Sequence, residues 1–372
     1  MHEALQFPGD YDGITASAPA INRTHQHAGL VWDYVAFNRN PVHLTATQET
    51  AITAAVVKQC AGRDGGLSSD NFLTDPRDCH WDPASLQCSG NAVRSCLTAP
   101  QVVAMRQYYQ GPVNLRTGER ILAGRVLGSE SNGRGGPVDT EARPRPDVGV
   151  PYWVFGNSWD WRTFDFDRDM DTIDEALAAT LNVNTADLDE FKLRGGKLIL
   201  IHGFADPLIP TLNTIAYYER LISGQTPGRG QGHGEREVAL RRTQEFARLF
   251  LAPGVGHCGG GAGPDSFLDG RNYVPFPKDI ETWVEQGIAP EQLIAFKVAN
   301  GTAIFSRPLC PYPTLPRYNR AGDPTTAANF RCIANDDVDD NQPPAPRYVD
   351  DGQNYPIVPI EDEHRQNDAK RR

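Results

Sequence analysis

Hydrophobic positions fall in two contrasting styles along the 372 residues. Met1 to Phe7 reads as the end of a helix stopped by Pro8, which brings no backbone N–H. Tyr11 to Pro19 follows as a short buried strand running into a loop. Between about 31 and 190 apolar runs thin out. That stretch is rich in Asp, Asn, Gly, Pro, Trp and Cys, and it shows helical patterning clearly only near 45–60 and 98–109. At Leu193 the first style returns. Gly195-Gly196 precedes Lys197-Leu198-Ile199-Leu200-Ile201, a continuous apolar run of strand length, as expected of a parallel sheet buried on both faces. A helix is predicted over 211–221. Residues 243–251 lead into a second strand ended by Pro253-Gly254, and 279–286 reads as a further helix. Strand, helix, strand, helix is an α/β pattern. The middle stretch predicts an inserted domain held by staples more than by a large core. From Ala334 the chain turns acidic and proline-rich, which predicts a disordered or loosely docked tail.

Composition narrows the class. With 35 Gly, 29 Pro and 39% hydrophobic residues, the chain suits a loop-rich enzyme with a sizeable core better than a helical bundle. A net charge of −11 disfavours nucleic acid as a partner. No run of about 18 apolar residues predicts a membrane span. Met1-His2-Glu3 opens neither a basic nor an apolar signal region. The seven cysteines argue otherwise about compartment. None has CxxC spacing. Cys60 with Cys79, Cys88 with Cys96 and Cys310 with Cys332 form sequence-near pairs, each a staple worth about 3 kcal/mol for a loop near 15 residues. Staples imply an oxidising compartment. The expectation is a secreted or periplasmic parent protein whose N-terminal segment is missing here, leaving Cys258 unpaired.

Candidate chemistry sits where two predicted strands end. The first gives Ile201-His202-Gly203-Phe204-Ala205-Asp206-Pro207, the second Gly254-Val255-Gly256-His257-Cys258-Gly259-Gly260-Gly261. Ligands of open α/β sheets bind beyond the carboxyl ends of strands, and an Asp followed by a His is the acid-then-base order of α/β-hydrolases. The His must take a proton from a nucleophile and return it to the leaving group. The Asp must fix the imidazole tautomer and stabilise the imidazolium. Asp206 also reads as a helix N-cap before Pro207, and His202 as a structural or pocket-lining residue.

Together, His202-Gly203-x-x-Asp206-Pro207-Leu208-Ile209-Pro210 and Pro253-Gly254-x-Gly256-His257-Cys258-Gly259-Gly260-Gly261 resemble the acid and base motifs of the tannase/feruloyl-esterase family. Phe7-Pro8-x-x-Tyr11-Asp12-Gly13-Ile14 with Ala18-Pro19-Ala20, Trp159-Asp160-Trp161-Arg162-x-Phe164-Asp165-Phe166, and Arg307-Pro308-Leu309-Cys310-Pro311-Tyr312-Pro313 fit as well. The resemblance implies an α/β fold. It would comprise the C-terminal part of an α/β-hydrolase sheet (1–30 and 191–332), interrupted by a disulfide-stapled lid domain (31–190) and followed by a tail (333–372). It implies hydrolysis of small aromatic esters of phenolic acids such as gallate or ferulate, with Asp206 and His257 in a Ser-His-Asp triad. The family's serine lies in Gly-Cys-Ser-x-Gly-Gly, just before the helix that opens this chain. No such segment occurs in the sequence, so the chain itself is expected to be inactive. The Cys beside that serine is, by the same resemblance, the partner of Cys258. The resemblance also implies a structural calcium ion in the Cys60–Cys79 loop. Asp64 and Asp70 would supply carboxylates, and Gly66 and Phe72 main-chain carbonyls. Ala61 stands where the family has a further Asp. Two other readings remain: a non-catalytic fragment or decayed homologue, and a calcium-dependent extracellular binding protein.

Three further patterns carry less. The alternation Asp165, Asp167, Asp169, Asp171 lacks the Gly and Glu of an EF-hand, with Met170 and Ala176 in their places. The aromatic group Tyr152, Trp153, Phe155, Trp159, Trp161, Phe164 and Phe166 suits a lid core for most members and an acyl pocket for the rest. Asn22-Arg23-Thr24 and Asn300-Gly301-Thr302 are sequons.

Overall fold

The computed structural model describes residues 1–38, 42–89, 95–133, 135–141, 146, 148–226, 233–267 and 276–334. The tail expected beyond 334 lies outside them. In chain order the elements are α1 (His2–Gln6), β1 (Gly13–Ser17), α2 (Arg23–Asn38), α3 (Ala46–Cys60), α4 (Ala99–Gln110), α5 (Pro137–Glu141), α6 (Val150–Phe155), α7 (Arg168–Leu181), α8 (Asp189–Leu193), β2 (Lys197–Gly203), α9 (Thr211–Gly224), α10 (His233–Gln244), β3 (Ala247–Ala252), α11 (Pro277–Gln286), β4 (Leu293–Ala299), β5 (Thr302–Leu309), β6 (Thr314–Tyr318) and β7 (Phe330–Ala334).

β1, β2 and β3 make a parallel sheet in that order, with Ala16 opposite Leu200 and Leu200 opposite Leu249. Its two faces are both covered. Leu198 and Leu200 pack with Leu212, Ile215 and Leu221 of α9. Ile199 and Ile201 pack on the opposite face with Trp283 of α11 and Leu293 of β4. That double burial is why 198–201 reads as an unbroken apolar run rather than an alternation. β4 and β5 pair antiparallel across Asn300-Gly301, whose φ values of 49° and 76° are those of a tight hairpin turn. β6 and β7 form a second antiparallel pair.

The stretch between β1 and β2 departs from the expectation of a stapled, core-poor insert. It contains two apolar clusters. One surrounds α3 and α4, with Ile52, Val56, Met105, Tyr108 and the Cys60–Cys79 sulfurs inside it. The other joins α2, α6 and α7 through Val31, Trp32, Trp161, Phe164, Phe166 and Ile173. Burial holds this region together, and the staples add to it. α2 crosses the 30/31 boundary drawn from composition. It buries residues on nearly every side, Thr24, His27, Val31, Trp32, Asp33 and Phe37 among them, because it touches both clusters. A helix without a polar face loses the contrast that reveals a 3.6-residue period. α3 and α4, by contrast, carry Thr45/Gln48 and Thr98/Gln101 capping boxes, and Gln48 Nε2 donates to Gln101 Oε1 at 3.0 Å. The three expected disulfides are present: Cys60–Cys79, Cys88–Cys96 and Cys310–Cys332. Cys258 is free and exposed. Among the described residues, no helix is long and apolar enough to cross a membrane.

Candidate active site

The turns that follow β2 and β3 meet at the carboxyl edge of the sheet. Phe204 N donates to Ala252 O at 2.8 Å, and Ala205 N to Val255 O at 3.0 Å. Gly203 permits this approach: a Cβ there would lie 2.3 Å from the Gly256 carbonyl oxygen and 2.4 Å from that of Val255. Beside this junction, His257 Nδ1 donates to Asp206 Oδ2 at 2.9 Å.

Asp206 is almost wholly buried and accepts four hydrogen bonds. Oδ1 takes the Leu208 and Ile209 N–H groups at 2.8 and 3.0 Å, so the carboxylate closes a turn and is not the N-cap of α9, which Pro210 occupies. Oδ2 takes His257 and, at 3.1 Å, His202 Nε2. His202 Nε2 also faces Ile209 O at 3.2 Å, while its Nδ1 meets the Thr214 hydroxyl of α9 at 2.8 Å. Two acceptors at Nε2 call for an N–H there, and the Thr214 hydroxyl completes the contacts of the ring at Nδ1. His202 is therefore a second imidazole buttressing the acid, fixed in turn by α9. Sequence reasoning left this role open. The signal was the i, i+4 spacing of His202 and Asp206 across a strand end.

Burial alone pushes the Asp206 carboxyl up. The hydrogen bonds and charges of His202 and His257 outweigh it and hold the group well below the usual carboxylate range. Asp206 is thus a fixed anion. The same bond, followed by contact with Cys258, outweighs burial at His257 and raises its imidazole to about 10. Nε2 of His257 points away from Asp206, with Cys258 Sγ 3.9 Å from it. The ring is partly exposed, so an outside group can reach Nε2. Chemically, the pair can store and return a proton at one solvent-accessible nitrogen.

The four residues expected to bind a metal lie in the loop closed by Cys60–Cys79. Asp64 is buried and accepts N–H groups from Gly62 and Gly66 at 3.1 Å each, and from Thr74. It has no ion pair among the described residues, and burial pushes its carboxyl up despite those bonds. Asp70 Oδ1 instead accepts from Arg307 Nη2 at 2.8 Å. Among the described residues no three His, Cys, Asp or Glu side chains converge on a metal position. Oxygen donors without sulfur or nitrogen, one of them a buried carboxylate lacking a counter-charge, fit a hard cation by type. Phe72 stacks on Phe305 at 6.0 Å and backs onto Gly254 in the turn before His257, where a Cβ would fall 2.3 Å from Phe72 Cβ. Of the aromatic group, Trp161, Phe164 and Phe166 are core, and Trp153 is largely exposed.

A parallel sheet presenting an aspartate-oriented imidazole beyond its carboxyl edge is an arrangement of α/β-hydrolases. The tannase and feruloyl esterase family profile matches residues 1–145 and 156–333, and the chain belongs to that family. It is 35% identical over 363 residues to an esterase of Xanthomonas campestris pv. campestris, covering 89% of this chain and 62% of the relative. It is 30% identical over 401 residues to a mono(2-hydroxyethyl) terephthalate hydrolase of Piscinibacter sakaiensis, covering 90% and 61%. The chain therefore spans about three-fifths of the length of these relatives. Among solved structures, an esterase from Aspergillus oryzae superposes with a TM-score of 0.77 at 24% identity, covering 89% of this chain and 66% of the other. Tannin acyl hydrolase from Aspergillus niger superposes with 0.71 at 20% identity, covering 96% and 65%. These two likenesses concern the fold.

Proposed function

We propose that this chain carries the acid and base of a serine-type carboxylic ester hydrolase for phenolic-acid esters. Its serine would come from a segment preceding Met1, and its working compartment would be extracytoplasmic and oxidising. Residues 31–190 would act as the lid. The observation that carries the reading is the Asp206–His257 pair: a carboxylate held by four donors orients Nδ1 at 2.9 Å and leaves Nε2 outward. In the reaction, the serine hydroxyl gives its proton to His257 Nε2 as its oxygen bonds to the ester carbonyl carbon. Asp206 stabilises the resulting imidazolium. His257 then returns the proton to the alcohol as the ester C–O bond breaks. A water next bonds to the acyl carbon as His257 takes its proton, and return of that proton to the serine oxygen breaks the acyl–serine bond and releases the acid. A Cys beside the serine, bonded to Cys258, would hold nucleophile and base in reach. Asp64 and Asp70, with the carbonyls of Gly66 and Phe72, would hold a structural calcium ion that supplies no chemistry to the reaction.

The test is to extend this chain ahead of Met1 with a segment carrying Gly-Cys-Ser-x-Gly-Gly and follow methyl ferulate and methyl gallate hydrolysis. The completed protein should turn over. His257→Ala and Asp206→Asn should abolish most of that rate, and the chain alone should fall short by a factor on the order of 10⁶. Comparable hydrolysis by the chain alone, or none by the completed protein, would refute the proposal.

A further inference from the structure

The turn at 129–133 belongs to the long segment between β1 and β2, yet it packs against the turns that carry Asp206 and His257. Asn132 Nδ2 donates to the carbonyl of Ala205, the residue before Asp206, at 2.9 Å. On its other side Asn132 fits the glycine loop around His257. A Cβ on Gly256 would lie 3.2 Å from Asn132 Cβ, and one on Gly261 3.2 Å from Asn132 Oδ1. Gly135 backs onto Leu208, the next residue but one after Asp206. The turn is itself anchored at depth. The carboxylate of Glu130, fully buried, accepts from the Tyr109 hydroxyl at 2.7 Å, Gly128 N at 2.9 Å and the Thr53 hydroxyl at 2.8 Å. Tyr109 lies on α4 and Thr53 on α3, so the anchor reaches into the cluster that packs those two helices.

We propose that Asn132 is a positioning residue for the acid–base pair. It fixes the Ala205–Asp206 peptide against the His257 loop and ties both to the α3–α4 region through Glu130. The inference rests on Asp206 and His257 forming the proposed acid–base pair. The peptide that leads into Asp206 is held on both edges, its carbonyl by Asn132 and its N–H, at 3.2 Å, by the Gly203 carbonyl, so losing the Asn132 bond frees one edge of the plane. A rotation of that plane displaces Oδ2 from the line of Nδ1–H, and hydrogen-bond strength falls steeply with such misalignment. Asn132 would thus act on the imidazole without touching it.

The experiment follows the His257 ring by NMR titration in the chain as it stands, since this readout needs no nucleophile. Asp206→Asn should bring the His257 pKa down toward the ordinary range near 6.5. Asn132→Ala and the nearly isosteric Asn132→Leu should each lower it by at least about one unit, with the thermal melt retained. If Asp206→Asn moves the titration and both Asn132 variants leave it in place, Asn132 does not position the pair. If Asp206→Asn also leaves it in place, the acid–base reading fails and the inference falls with it. Should the Asn132 variants not fold, hydrogen exchange of the Asn132 side-chain amide in the parent decides. Slow exchange supports the bond to Ala205, and exchange at the rate of a free amide overturns it.

Discussion

At the scale of single residues the proposed chemistry turns on His257, because its charge state would decide whether it can serve as the base. In this chain its imidazole is raised to about 10, first by the Asp206 bond and then by Cys258. A general base must be neutral, so at pH 7 the proton has to leave before Nε2 can accept one. The sign for stability follows from linkage: the pairing favours the folded state fully below about 6.5, and that contribution is lost as pH rises through about 10. Removing the thiol removes one of the two leading causes. Cys258→Ala, or capping Cys258 as a mixed disulfide, should therefore lower the His257 pKa measurably by NMR while Asp206→Asn lowers it further. An unchanged titration would show that the thiol does not contribute. The same reasoning would give the proposed disulfide of Cys258 a second role beyond tethering, since a sulfur tied up in a bond cannot hold the proton on its neighbour.

At the scale of elements, the site exists because two strand ends come within bonding distance, and glycine at 203 permits it. Gly203→Ala places a Cβ against two carbonyl oxygens at 2.3 and 2.4 Å, neither of which can retreat without breaking the junction of the turns. It should cost about 3 kcal/mol in urea denaturation, and it should lower the His257 pKa because the acid and base turns move apart. A neutral result would mean that the junction is looser than drawn. Much of this level was legible from sequence. β2 and β3 announced themselves as apolar runs ended by Gly and Pro, and α3 and α4 by Thr caps with Gln three residues on. The β4–β5 hairpin also carried a signal in Asn300-Gly301, a two-residue turn pair that is read from sequence above only as part of a sequon. α2 carried none, since a helix buried on nearly all sides has no polar face to set its period. Asn132 was invisible for another reason: its partner lies 73 residues away, and nothing local distinguishes it from any turn asparagine.

For the molecule as a whole, the open question is what neutralises the acidic loop closed by Cys60–Cys79. Arg307 serves Asp70, stacked between Phe305 and Phe330 at 5.0 and 4.5 Å from their ring centres, while Asp64 keeps a buried carboxylate without an ion pair among the described residues. Calcium at a hundredfold excess over its Kd would add about 2.7 kcal/mol, a Tm rise of about 3–5 °C. Asp64→Asn should remove that response without removing the fold. A Tm indifferent to calcium and to its chelation would instead mean that Arg307 is the loop's counter-charge without a metal, as Ala61 in place of the family's Asp would favour. Because Phe72 touches Gly254, tightening this loop should also steady the turn that leads to His257.

By itself the sequence determined the parallel strands, the covalent staples and the placing of Asp206 and His257 after successive strands, because each is written in local pattern: apolar runs, paired cysteines, glycines flanking a single Asp or His. The tertiary structure alone decided which groups share those functional atoms. Four donors converge on Asp206 from the strand end, the following turn and the His257 loop. Arg307 reaches Asp70 from 237 residues away, and Asn132 reaches Ala205 from the far side of the β1–β2 segment. Such contacts depend on how distant segments are brought together in space, and spacing along a chain does not encode that.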